Sequence, residues 1–505
     1  MFLLLMQLLG AGAATVTFAP LFQGASVVLQ SGPVGSRVWG NFTPNGGVRL
    51  TLDGSPVGTV PTDATGRWEA LLPPQPPSWR VATLLAEDAA GGGGAPAVSV
   101  LRFGVVLLCS GQSNMQLSVD QLTNGTAEAA GAGAFTGRVS LATMQAPRGT
   151  SPPWNASGWN AVSAGRGGTL APFSGLCWLT GRAIFEALGG AAPVGLIAGA
   201  VGGTPIEAWV PAGVLGPVCP ADAPPCGGAA DSALFNGLIH PFTPYTVGAV
   251  LWDQGERDVR CFAPATNRTA QYPCMERALV QTWRAAFKSN FSAFAAVQLP
   301  GYLGDCSEHG GDYFNCVPGV FNMRLSQAAG VEGVPNATAV VTYDLSCPFG
   351  VKTDECPMGS VHNLNKTLVA ARAARALLAQ MDPAAFPPGG AAPPRVTSVT
   401  AAPTGRGFWL VTVAFDAAPL ALRGTQYCAA CCGGGVGDFD ATADGSVWAN
   451  STAVQQLSGG AVVFTVGLPQ KPMAVRYTAN QPFPQCAVVG GEAGLPALPF
   501  LAPVE

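Results

Sequence analysis

From about residue 15 to residue 103, apolar and polar positions alternate in short runs separated by Gly, Pro and Asp. Ala25-Ser26-Val27-Val28-Leu29, Val48-Arg49-Leu50-Thr51-Leu52 and Ala97-Val98-Ser99-Val100-Leu101-Arg102-Phe103 are examples. Half-buried strands follow this two-residue period, and the segment is expected to be an N-terminal β module of sandwich type. Between about 104 and 385 the pattern changes. Unbroken apolar runs at Val105–Leu108, Val194–Ile197 and Gly248–Trp252 each end in a polar or glycine-rich turn, and helical segments intervene at Cys177–Leu188, Met275–Phe287 and Lys366–Met381. Continuous apolar strands alternating with helices predict an α/β domain with a parallel sheet. Strands return in 392–505, as in Phe408–Val413 and Val462–Val466, and predict a C-terminal β module. Residues 1–14 form a short apolar run ending in small residues, as a signal peptide cut near Ala14 would.

Ligands and chemistry in open α/β sheets lie at the carboxyl ends of the strands. Three strand-end turns carry polar residues. The first is Cys109-Ser110-Gly111-Gln112-Ser113-Asn114-Met115, where a glycine two residues before Ser113 permits a tight turn that exposes the hydroxyl. A turn-capping serine has the same local appearance. The second contains Gly202-Gly203-Thr204-Pro205-Ile206-Glu207-Ala208-Trp209, in which main-chain N–H groups are able to face a developing oxyanion, as in any plain turn they face water. In the third, Trp252-Asp253-Gln254-Gly255-Glu256, Gln254 offers a side-chain donor and Glu256 an orienting or substrate-binding carboxylate, unless the turn is merely solvated.

A serine hydrolase at neutral pH needs an imidazole to accept the hydroxyl proton, and the chain has only three histidines. His240 lies among apolar residues and is expected to be a hydrogen-bonded structural histidine. His309 lies in a loop bounded by Gly and Cys. His362 precedes a long helix late in the α/β region, and is the best base.

Composition narrows the field further. The chain has 505 residues, 48% of them hydrophobic and 11% charged, with a net charge of -4 and no basic stripe, which argues against nucleic acid as a partner. No apolar stretch is long enough to span a membrane. Fourteen cysteines and eight Asn-x-Ser/Thr sequons, at Asn41, Asn124, Asn155, Asn267, Asn290, Asn336, Asn365 and Asn450, point to an oxidising, secretory environment. Cys428-Ala429-Ala430-Cys431-Cys432 lacks a second ligand pair, so a disulfide is expected there rather than zinc, and no metal or cofactor is implied. Cys109, beside the nucleophile strand, is expected to be a free buried thiol.

Four motifs occur in one order: Ser-Gly-Gln-Ser-Asn-Met at 110–115, Gly-Gly-Thr-Pro-Ile-Glu-Ala-Trp at 202–209, Trp-x-Gln-Gly-Glu at 252–256 and Gly-Ser-Val-His at 359–362. Together with Leu234–Pro241, Val27–Gln30, Cys431-Cys432 and Gln485-Cys486, they resemble the sialate O-acetylesterase family of SGNH hydrolases over nearly the whole chain. The resemblance implies a flavodoxin-like α/β/α core flanked by β modules and removal of O-acetyl groups from sialic acids. It implies Ser113 as nucleophile and His362 as base. The N–H groups of Ser113 and Gly203 and the side chain of Gln254 would be oxyanion donors, with Glu207, Glu256 and Asn114 binding or orienting the substrate.

The chain departs from the family pattern at Asp253, where a tyrosine is usual, and at Arg257-Asp258, which puts sugar contacts there in doubt. It also has Gly359 three residues before the histidine, where many SGNH enzymes carry an aspartate. A Ser–His dyad is therefore expected, oriented by a main-chain carbonyl near Gly359 or Ser360, with Asp354 and Asp344 as alternatives. Two rivals remain: an esterase acting on other acetylated glycans such as xylan, and a non-catalytic glycan-binding protein on a hydrolase fold.

Overall fold

The computed structural model describes residues 15–92, 94–144, 158–165, 167–219, 232–259, 268–288, 291–301, 317–347, 354, 356–357, 361–424, 438–451, 453–479, 486–491 and 494–505. The expected signal peptide, His309, Gly359, Ser360 and Cys428–Cys432 lie outside the described residues.

Strands β1 (Val27–Gln30), β2 (Ser78–Asp88) and β3 (Ala97–Gly111) open the fold. The central strand, β3, runs for 15 residues. Its first half pairs antiparallel with β2 and parallel with β1, and its second half pairs parallel with two later strands. The boundary expected at 103/104 therefore falls inside one strand. The change of apolar period at that point has a physical cause. Residues 97–103 alternate between buried and partly exposed, whereas Val106–Gly111 are all buried, because helices cover both faces of the sheet there.

Beyond β3 come β4 (Val139–Thr143), β5 (Val194–Ala200), β6 (Ala249–Asp253), β7 (Ala293–Val297) and β8 (Ala337–Val340). They form a parallel array in the order β4-β5-β3-β6-β7-β8, edged by the short antiparallel strand Asn160–Ala161. Side chains alternate across this array and build two cores. Leu107, Cys109, Leu251 and Ala295 pack with α1 (Gly175–Ala187) and with a late helix, Thr367–Met381. Val106, Leu108, Val250, Trp252 and Phe294 pack on the other face with α2 (Arg268–Phe287) and α3 (Val317–Val331); Thr367–Met381 is α4. This is the α/β class expected, with helices on both faces.

Helix α2 starts at Arg268, earlier than the expected Met275, and contains Pro273. Pro273 is past the first turn, so its missing N–H leaves out one intrahelical hydrogen bond there. Helix α1 is capped by Ser174, whose hydroxyl accepts from Cys177 N–H at 3.2 Å.

Cys109 is not a free thiol. It forms a disulfide with Cys177, since β3 and α1 present these residues to the same core, and Cys219–Cys274 and Cys347–Cys356 are also bonded. The C-terminal segment forms antiparallel sheets, one of them built from Val396–Gly405, Phe408–Phe415, Ala461–Gly467 and Ala453–Ser458. Among the described residues no helix is long and apolar enough to cross a membrane.

Candidate active site

Strand β3 ends at Gly111, which holds φ at +140° and lies so close to β6 that a Cβ there would stand 2.0 Å from the Asp253 carbonyl oxygen. Only glycine fits this approach. Gln112 N–H donates to the same carbonyl at 2.9 Å, and the chain then turns into the short helix Ser113–Gln116. The Gly202–Gly203 turn after β5 packs against this helix. A Cβ on Gly202 would come within 3.3 Å of Ser113 Cβ, and Gly202 N–H donates to Gln116 Oε1 at 2.8 Å. Gly203, at φ +70°, faces open space. Neither Ser113 N–H nor Gly203 N–H has an acceptor among the described residues, so both donors remain available at the mouth of the turn.

His362 approaches from the turn before α4, with Nε2 2.9 Å from Ser113 Oγ. Burial, and then the charge of Lys366, lower its pKa below the ordinary 6.5. Both influences favour the neutral imidazole that a general base requires. Among the described residues no hydrogen bond is made by its Nδ1. Asp354 is exposed, and Asp344 is not the orienting group: its carboxylate is held by Arg372 through two bonds, of 2.7 and 2.6 Å. The paired guanidinium fork takes both oxygens. His240 differs from expectation too. It is exposed, with its ring 5.9 Å from that of Phe235, because only the flanking Leu238, Ile239 and Phe242 turn inward.

A buried polar network lies beneath this pair. Asn114 Nδ2 donates to Glu256 Oε1 and, at 3.0 Å, to the carbonyl of Val361; its Oδ1 accepts from Lys366 Nζ at 2.6 Å. Both the Asn114 and the Glu256 side chains thus make internal hydrogen bonds. Asp253 is buried beside them, with its pKa pushed up to about 7 by burial and by the neighbouring Glu256, against the opposing effect of Lys366.

Gln254 departs from the role expected of it. Its side chain is completely buried, Nε2 donates to the Thr204 carbonyl at 3.0 Å and to Asp258 Oδ2, and Oε1 accepts from Tyr272 OH at 2.9 Å. An amide so engaged braces the Gly203–Thr204 turn and has no N–H directed at an oxyanion. Asp258 also accepts Ile206 N–H at 3.1 Å, and Glu207 is buried on the same turn. Of the three departures from the family pattern, Asp253 and Asp258 are internal, and only Arg257 is partly exposed. Lys366 and Tyr272 carry no sequence signal for the site, and Asp258 is marked in the sequence only as a departure from the family pattern. Lys366 stands four residues after His362 and looks there like an ordinary lysine at a helix start.

The chain is 31% identical over 376 residues to a sialate O-acetylesterase from Pongo abelii and 30% identical over 376 residues to the one from Homo sapiens. Each match covers 68% of this chain and 67% of the relative. No family model matches. Among solved structures, a carbohydrate acetylesterase from Xanthomonas citri superimposes with a TM-score of 0.74 at 24% identity, over 97% of this chain and 99% of that one, a likeness of fold that includes the flanking β modules. With this degree of identity over two thirds of both sequences, the chain belongs to the sialate O-acetylesterase family and is a carboxylic-ester hydrolase.

Proposed function

We propose that the protein removes O-acetyl groups from sialic acids through an acyl-enzyme formed on Ser113. The observation that carries this reading is the 2.9 Å approach of His362 Nε2 to Ser113 Oγ, within a family of sialate O-acetylesterases. His362 takes the hydroxyl proton as Ser113 attacks the acetyl carbonyl, and the negative oxygen is met by the N–H groups of Ser113 and Gly203. The carbonyl re-forms as the sugar oxygen departs, taking the proton from His362. Water, deprotonated by the same imidazole, then attacks the acyl-enzyme and releases acetate. The disulfides and the exposed sequons at Asn41, Asn336 and Asn450 support passage through the secretory pathway, to the exterior or a lysosome. In this reading two β modules flank the hydrolase, with divisions at about 103, within the continuous strand β3, and at about 392.

The test is acetate release from 9-O-acetylated sialic acid and from acetylated xylan, by the wild type and by Ser113→Ala. Serine-dependent release from the sialic acid supports the whole reading. Release from xylan alone keeps the mechanism and moves the substrate class. Turnover that survives the alanine substitution overturns the assignment of Ser113.

A further inference from the structure

Of the groups beneath the catalytic pair, Lys366 is the least expected. It is buried, and burial lowers its pKa while Asp253 and Glu256 raise it. An ammonium costs several kcal/mol to take out of water unless it is paired and hydrogen-bonded, so a merely structural position would more simply hold an apolar side chain. Its bond to Asn114 Oδ1 has a directional consequence. An ammonium only donates, and the carbonyl of Val361 only accepts. With Lys366 on one side and Val361 on the other, the Asn114 amide has one permitted orientation: oxygen toward the lysine, NH2 toward the carbonyl.

Both ends of this chain of contacts belong to the reaction. Asn114 follows the nucleophile directly, and Val361 directly precedes the base. We propose that Lys366 is a positioning residue for the Ser113–His362 pair: its ammonium sets the Asn114 amide, and that amide pins the carbonyl next to the base. The inference rests on the reading of Ser113 and His362 as nucleophile and base.

The charges around Lys366 come from three elements. Asp253 ends β6, Glu256 opens the Glu256–Val259 helix, and His362 lies on the lysine's own loop. A cavity of about 20 Å³, room for one water, adjoins Lys366 and is lined both by polar groups, Asp253, Asn114 and Asn363 among them, and by apolar ones such as Val297 and Leu345. The positive charge is close enough to disfavour protonation of His362.

Hydrolysis of 4-nitrophenyl acetate by the full chain tests this independently of any sugar. The wild type, Ser113→Ala, Lys366→Met and Asn114→Asp would be compared from about pH 4.5 to 9, each with its melting temperature. Lys366→Met is expected to lower kcat/KM by about 100-fold, chiefly through kcat, because the base is no longer held in register. Its acid limb moves to higher pH, since the imidazolium is no longer opposed by an ammonium. Asn114→Asp keeps the shape of the side chain but removes the NH2 that donates to the Val361 carbonyl, and is expected to lower kcat in the same way. Should the methionine variant fail to fold, the near-isosteric Asn114→Asp carries the test alone. A folded Lys366→Met with wild-type kcat and an unmoved limb overturns the proposal, as does wild-type kcat in a folded Asn114→Asp. Loss of turnover in Ser113→Ala in the same series shows that the dyad reading stands even where the Lys366 proposal falls.

Discussion

His362 Nε2 lies 2.9 Å from Ser113 Oγ, although 249 residues separate them in the chain. Replacing either residue by alanine is expected to reduce kcat by 10⁴-fold or more, the order seen when one member of a nucleophile–base pair is removed. Steady-state ester hydrolysis measures it. Because burial and Lys366 hold the His362 pKa below 6.5, the neutral base is already dominant at pH 6.5. The acid limb of kcat/KM should therefore fall below that pH, with activity lost as the pH drops through the lowered pKa.

The two fallback carboxylates behave differently from a triad aspartate. Asp354 is exposed, and Asp354→Asn should change kcat less than about threefold, against the roughly 10⁴-fold loss seen for a true orienting aspartate. Asp344→Asn should instead lower the melting temperature, because it leaves Arg372, only 12% exposed, without its partner. A deep loss of kcat in the folded Asp354 variant would end the dyad description.

Gly111→Ala is expected to abolish activity and to lower soluble yield. The added Cβ meets a main-chain oxygen at 2.0 Å, and that backbone cannot move without parting β3 from β6. Gly133→Ala, where nothing lies within 4 Å of the new atom, is the control and should retain wild-type activity and melting temperature.

The Cys109–Cys177 disulfide ties the nucleophile strand to α1 across 68 residues of chain. Removing it as a double serine variant should cost about 2–5 kcal/mol of stability. Denaturant unfolding would show the loss, while kcat of the folded fraction stays within a few-fold of wild type, because the bond lies behind the turn and touches neither Ser113 nor His362.

Glu276, on α2, is fully buried, and neither carboxylate oxygen has a partner among the described residues. Burial raises its pKa well above 4.5, so the folded protein keeps it protonated where the unfolded chain would ionise it. A raised acid pKa costs stability as pH climbs past the unfolded value, by about 1.4 kcal/mol per pH unit until the folded pKa is reached. Glu276→Gln should leave stability at pH 4 unchanged and make the protein progressively more stable than wild type toward pH 8. Parallel urea titrations at the two pH values check the sign.

Much of this protein is legible in one dimension. The switch from alternating to continuous apolar runs near residue 104 marks where helices begin to cover both sheet faces, because burial on one face or two is written directly into residue type. Ser113 and Gly203 stand in turns whose glycines serve local backbone geometry, and the scarcity of histidine left His362 as the best candidate base. Local sequence thus determined the elements and pointed to the proposed Ser113–His362 pair. The tertiary structure alone decided which polar groups face one another. Gln254 has the composition of an oxyanion donor, yet its amide is taken by Thr204 and Asp258. Cys109 looks solitary until α1 brings Cys177 onto the same face. Lys366 resembles a surface lysine until α4 docks it under Asn114. Hydrogen bonds and disulfides depend on distance and direction at the ångström scale, and segments hundreds of residues apart acquire those only when the sheet and its helices have packed.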